Sequence, residues 1–251
     1  MMLRVIAGRE WRSLFLSPLA WTLLGVVLFI LAWLFLAQLD LYLTLAPQIA
    51  RMPDAPGVTD VVIAPLLSNT GVILLLVVPL ITMRALSEER RSQTLVLLLS
   101  APVSMTRIVL GKYLGLMGFF AVLLGLLAAM LLSLAVGTHL DYGKLASGLL
   151  GLLLLVAAFV AAGLYMSSLT DQPTIAAVAT FGLLLLFWII DWAGNAGGGE
   201  SALFGYLSLL NHYQSLLKGL FNTSDVLYYV LFVVTFLGLT VERLDAQRVT
   251  G

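Results

Sequence analysis

The chain has no cysteine, two histidines and charged residues at only 10% of its positions. The missing thiols exclude disulfides and thiolate chemistry. His139 and His212 fall in different connections, and there is no HExxH pattern, so no metal is expected. No GxxxxGK[ST] loop is present. The Gly111-Lys112 pair lacks the upstream glycine and the following Ser or Thr, so this chain is not expected to bind ATP by that route. No Ser, His and Asp set is suggested, and no catalytic residue is expected. A nucleic-acid partner is not expected either.

What the chain has instead is apolar length. Its hydrophobic fraction is 61%, against roughly 45–50% in soluble domains. Six runs are long enough to be membrane spans, at about 19–39, 65–84, 108–136, 145–169, 174–192 and 225–242. About 20 apolar residues at a 1.5 Å rise cross the roughly 30 Å hydrocarbon core. The runs lack the even alternation of barrel strands, and helices are then the remaining way to satisfy backbone groups in lipid. The expected fold is an all-α integral membrane protein with six transmembrane helices, one domain over residues 1–251. The first run exceeds a signal-peptide core and no small-x-small site follows it, so cleavage is not expected.

Of the 13 Lys and Arg residues, ten lie on one side of this topology. They are Arg4, Arg9, Arg12, Arg84, Arg90, Arg91, Arg107, Lys112, Arg243 and Arg248. Arg51, Lys144 and Lys218 lie on the other. The asymmetry predicts cytoplasmic termini, and Lys112 is expected to snorkel to that surface. Residues 1–17, with Arg9, Trp11 and Arg12, fit a short interfacial helix in contact with membrane lipid. Asp40 to Ala64, broken by three prolines, reads as a loop. Residues 203–221 read as amphipathic, lying on the membrane or dipping into it. The cluster Asn222 to Asp225 suits a cap for the last span.

Buried charge within the spans, the usual mark of an ion pathway, is almost absent, which argues against a secondary carrier or a membrane enzyme. Gly111, Gly115 and Gly118 lie near one face of the third span and suit close helix packing, including contact with a second six-span chain. Charge is concentrated in "SEERRSQTLVLLLSAPVS", residues 87–104. Arg84, Glu88 and Arg91 share a helical face at i, i+4 and i+7. An apolar tail, Leu95 to Leu99, follows, and Pro102 ends the segment. A charged head and an oily tail fit a docking site for a partner. A solvated turn whose leucines rest on the membrane fits the spacing equally well.

Residues 87–115 resemble the signature of ABC-2-type permeases: an acidic-basic cluster at Glu88 to Arg91, then Thr94-Leu95, leucines, and Pro102-Val103-Ser104. The family's glycine before the threonine is Gln93 here. Residues 163–181, "GLYMSSLTDQPTIAAVATF", are similar to the family's fourth-to-fifth region. Residues 207–232 resemble the gliding-motility (Gld) branch. The resemblance implies a permease subunit of an ATP-binding cassette transporter, expected to export, pairing with a second permease chain as a homodimer or heterodimer. Cytoplasmic ATPase subunits would carry ATP and Mg, with no cofactor on this chain, and the expected location is the bacterial inner membrane. It would make residues 1–17 an elbow helix. It would also place Ser87, Glu88, Glu89, Arg90, Arg91, Thr94, Leu95, Leu98, Leu99 and Pro102 in a cytoplasmic coupling helix between spans two and three. An alternative reading is a non-transporting module that passes ATPase-driven work to a periplasmic, Gld-like partner.

Overall fold

The computed structural model describes residues 2–49, 57–94, 104–196 and 202–250. Among them every regular element is helical. We number the α-helices α1 (Met2–Leu16), α2 (Pro18–Ile49), α3 (Ala64–Thr82), α4 (Arg84–Arg91), α5 (Met105–Leu132), α6 (Tyr142–Leu169), α7 (Pro173–Ala196), α8 (Ala202–Leu207), α9 (Leu209–Leu217) and α10 (Thr223–Thr250). A π-helical turn, Thr59–Ile63, leads into α3, and a 3₁₀ turn, Ser133–Val136, extends α5. Six helical runs are long and apolar enough to cross a membrane: Pro18–Gln48, Thr59–Arg91, Met105–Val136, Tyr142–Leu169, Pro173–Ile190 and Thr223–Arg248. The protein is a multi-pass membrane protein of six helices.

Two spans outrun their apolar stretches. α2 continues beyond Asp40 to Ile49, through what the sequence reads as a loop. Asp40 is exposed, so its carboxylate meets no packing obstacle to the helix running on. Pro47 sits in the last turn, so the backbone hydrogen bond that it removes is among the last of the helix. α10 likewise runs on through Glu242 and Arg243, anchored by the fully buried Leu244.

α6 is the hub. Leu152, Leu155, Val156, Ala158 to Ala162 and Leu164 are all fully buried. Lipid tails are as apolar as leucine, so packing and close backbone approach drive helix association in a membrane. The small residues of α6 supply that approach. A Cβ at Gly163 would collide with the Thr82 side chain, and one at Gly151 would lie 2.9 Å from Leu216 Cβ. α2 and α7 lie at the periphery, with 28% and 17% of their apolar windows buried against 61% for α6.

α9 tucks into the bundle instead of lying flat on a surface. Leu209, Tyr213 and Leu216 have no exposed area. The Tyr213 hydroxyl donates to the Leu67 carbonyl at 2.6 Å, and Ser147 Oγ donates to the Leu216 carbonyl at 2.8 Å. Burial pushes the Tyr213 phenol up, so it remains a neutral donor. Asp225 does not act only at the head of α10. Its Oδ1 lies 2.7 Å from His212 Nδ1, while His212 Nε2 lies 2.9 Å from the Tyr206 carbonyl. Tyr228 stacks on the imidazole at 4.1 Å. This cluster clamps α9 to α10.

Candidate functional site

At the opposite end of α3 from this clamp, the chain turns at Met83 into α4, an eight-residue helix. Nothing in its composition would hold so charged a helix against a membrane bundle, so its neighbours must. Ser167 of α6 accepts from the backbone N–H groups of Leu86 and Ser87, each at 3.0 Å, and donates to the Met83 carbonyl at 2.9 Å. The first N–H groups of a helix have no partner within it, so Ser167 caps α4 from another helix. Ser87 Oγ donates to the Met83 carbonyl as well. Ala85, Leu86 and Ser87 are buried as a result.

The second tether is ionic. Lys112 of α5 is only 3% exposed, and its Nζ lies 2.8 Å from Glu89 Oε1 and 3.2 Å from Glu10 Oε2 of α1. One buried ammonium therefore joins three helices that are far apart in sequence. Lys112 points into the protein and does not snorkel outward, because the surrounding face of α5 is made of glycine and is covered by α1. A Cβ at Gly111 would lie 2.7 Å from Ile6 Cγ2, and one at Gly115 would lie 2.6 Å from Glu10 Cβ. Gly118 abuts the Trp11 indole. The glycine face of α5 is thus filled from within the chain and is not left open to a second copy. Arg9, Trp11 and Arg12 lie on the exposed side of α1. The third tether is Arg90 Nη1 to Asp171 Oδ1, 3.7 Å, reaching the connection between α6 and α7.

With Glu89 and Arg90 directed toward neighbours, the free face of α4 consists of Arg84, Glu88 and Arg91, all exposed and continued by Ser92, Gln93 and Thr94. Thr94 Oγ1 donates to the Glu89 carbonyl at 3.3 Å. Gln93 ends the helix with φ 56°, the left-handed conformation that glycine adopts at no steric cost. Beside this face opens a groove of ≈ 1010 Å³ lined by Arg84, Glu88, Arg91, Gln93, Asp171 and Thr174. Leu95, Leu98, Leu99 and Pro102 lie outside the described residues. Among the described residues, no group of three or more His, Asp or Glu side chains could hold a metal ion.

This end of the molecule has the form of a rigid, charged boss mounted on a helical bundle. A family model for ABC-2 family transporter proteins matches residues 4–246. The chain belongs to the ABC-2 transporter family. No curated protein matches it in sequence. In an ABC-2 transporter the permease is the non-catalytic membrane subunit, and permeases of this family normally work with ATPase subunits. For this ABC-2 permease, sequence reasoning located the charged stretch but missed Ser167, Glu10 and the inward path of Lys112. One signal for the lysine was available. Gly111, Lys112 and Gly115 share a helix face, so a residue flanked by packing glycines faces a neighbour.

Proposed function

We propose that this permease couples ATP hydrolysis on a separate subunit to movement of the six spans, with α4 and the turn after it as the receiving element. One observation carries the reading. α4 is a short polar helix tied to α1, α5, α6 and the α6–α7 connection, yet it keeps one charged face free. A push on that face is delivered to at least three long helices at once, because Ser167 and Lys112 leave α4 little room to move alone. The Lys and Arg asymmetry supports placing this end and both termini in the cytoplasm, in a bacterial inner membrane. Export follows from the family resemblance. ATP and Mg belong to the partner.

The thinly buried outer faces of α2 and α7, with Phe29, Trp33 and Val178 at least two-thirds exposed, support pairing with a second permease chain. The Gld-like periplasmic partner rests on residues 207–232, which form α9 and the head of α10.

The test is co-purification of the ATPase with the permease at equal expression. Reversing the free face with Glu88→Arg and Arg91→Glu should reduce recovery by about 30-fold, equivalent to roughly 2 kcal/mol for charge pairs desolvated at an interface. Full recovery with unchanged ATP turnover would leave α4 without a docking role and overturn the reading.

A further inference from the structure

α1 separates its charges in a way the sequence does not show. Its one carboxylate, Glu10, turns inward to Lys112 at 3.2 Å. Its three guanidiniums, Arg4, Arg9 and Arg12, all lie on the exposed side. Among the described residues none of the three makes an ion pair. At 100° per residue they fall within an arc of about 140°, and Arg4 and Arg12 stand about 12 Å apart along the axis. Val5, 66% exposed, and Leu16, 83%, share that arc, and Trp11, 45% exposed, stands at its edge with the rest of its indole against Gly118. A shallow groove of ≈ 800 Å³ runs along this side, lined by Arg4, Arg9, Trp11, Arg12 and Leu16. α1 leads directly into the span α2. Trp21 of α2, whose indole N–H donates to the Phe15 carbonyl at 2.7 Å, adds a second exposed aromatic next to α1.

We propose that this face is a binding site for anionic phospholipid headgroups. Charge decides the sign of the ligand: three unpaired cations with no carboxylate on the same face favour an anion. The interleaved Trp11 and Leu16 decide the source. A protein surface would leave these side chains against water or require its own apolar complement, whereas a phospholipid supplies phosphate and acyl chain together. Guanidinium also suits phosphate oxygens through bidentate hydrogen bonds. Because Glu10 links α1 to Lys112 and Glu89, a lipid seated here also steadies the receiving element proposed above. The lipid site itself does not depend on that reading.

The full-length permease, purified without ATPase, is titrated with phosphatidylglycerol or phosphatidylcholine of matched acyl chains, and retained lipid is counted by native mass spectrometry. Each guanidinium near an anionic surface contributes about 5-fold in affinity. Phosphatidylglycerol should therefore bind more tightly than phosphatidylcholine, by on the order of 100-fold for three charges. Arg4→Gln with Arg9→Gln and Arg12→Gln should abolish the preference, and Gly8→Arg, which adds a cation inside the arc where a side chain meets open space, should raise it. The Gly8 variant keeps the test decisive should the triple variant fold poorly. Equal binding of the two lipids would overturn the proposal. So would an unchanged preference in the triple variant, displacement of the lipid by inorganic phosphate alone, or loss of ATPase co-purification with lipid preference intact, which would make this a protein-docking face.

Discussion

Replacing Lys112 with Met tests whether the three-helix ion cluster holds the site together. The side chain keeps its length and loses its charge. At an effective dielectric of about 20, an ammonium 2.8 Å from one carboxylate and 3.2 Å from another gains about 6 and about 5 kcal/mol of gross attraction. Most of that is offset by the cost of burying the ammonium and by repulsion between Glu10 and Glu89. Breaking a buried pair by removing one partner costs about 3–5 kcal/mol. The carboxylate side chains here are 20% and 25% exposed, so they are only partly desolvated, and we expect about 2–4 kcal/mol. Thermal unfolding in lipid nanodiscs should shift down by roughly 5–10 °C, and amides of α1 and α4 should exchange faster with deuterium. Adding Glu10→Gln and Glu89→Gln removes the uncompensated charge and should restore most of the loss. An unaffected Lys112→Met protein would refute the cluster's role, as would a triple variant less stable than the single one.

Ser167→Ala leaves the Leu86 N–H at the start of α4 without its acceptor and should cost about 1–3 kcal/mol, read as faster exchange at Leu86 with α9 unaffected. Gln93→Gly relieves a left-handed residue and should stabilise the turn by about 1 kcal/mol, measured as a rise in unfolding midpoint. Asp225→Ala strips His212 of its carboxylate inside a buried cluster and should cost on the order of 1–3 kcal/mol, with increased proteolysis between residues 203 and 221 and no change in ATPase co-purification.

Hydropathy alone located the six spans, because a bilayer imposes the same length requirement on every one of them. It read the stretch after Asp40 as a loop, where α2 runs on to Ile49, since a helix need not end where its apolar stretch does. The free face of α4 could be read from the spacing of Arg84, Glu88 and Arg91, a purely local property. The ligation of Glu89 by Lys112 could not. Glu89 and Lys112 pair only because Gly111 and Gly115 let α1 approach α5, and which helices meet is not written in any local period. Ser167 was hidden for the same reason: its role depends on α6 passing the start of α4. His212 and Asp225 sit in different elements, and only the inward tuck of α9 brings them within 2.7 Å.

The central claim is that a partner ATPase acts on the α4 end of this ABC-2 permease. Its most direct test places a photo-crosslinking residue at Arg91, on the free face of α4, and in a second variant at Tyr206, exposed at the other end of the bundle. Irradiation of intact cells should join the Arg91 variant, and not the Tyr206 variant, to the ATPase subunit. A crosslink from Tyr206, or none from Arg91 in a complex that still hydrolyses ATP, would contradict the account.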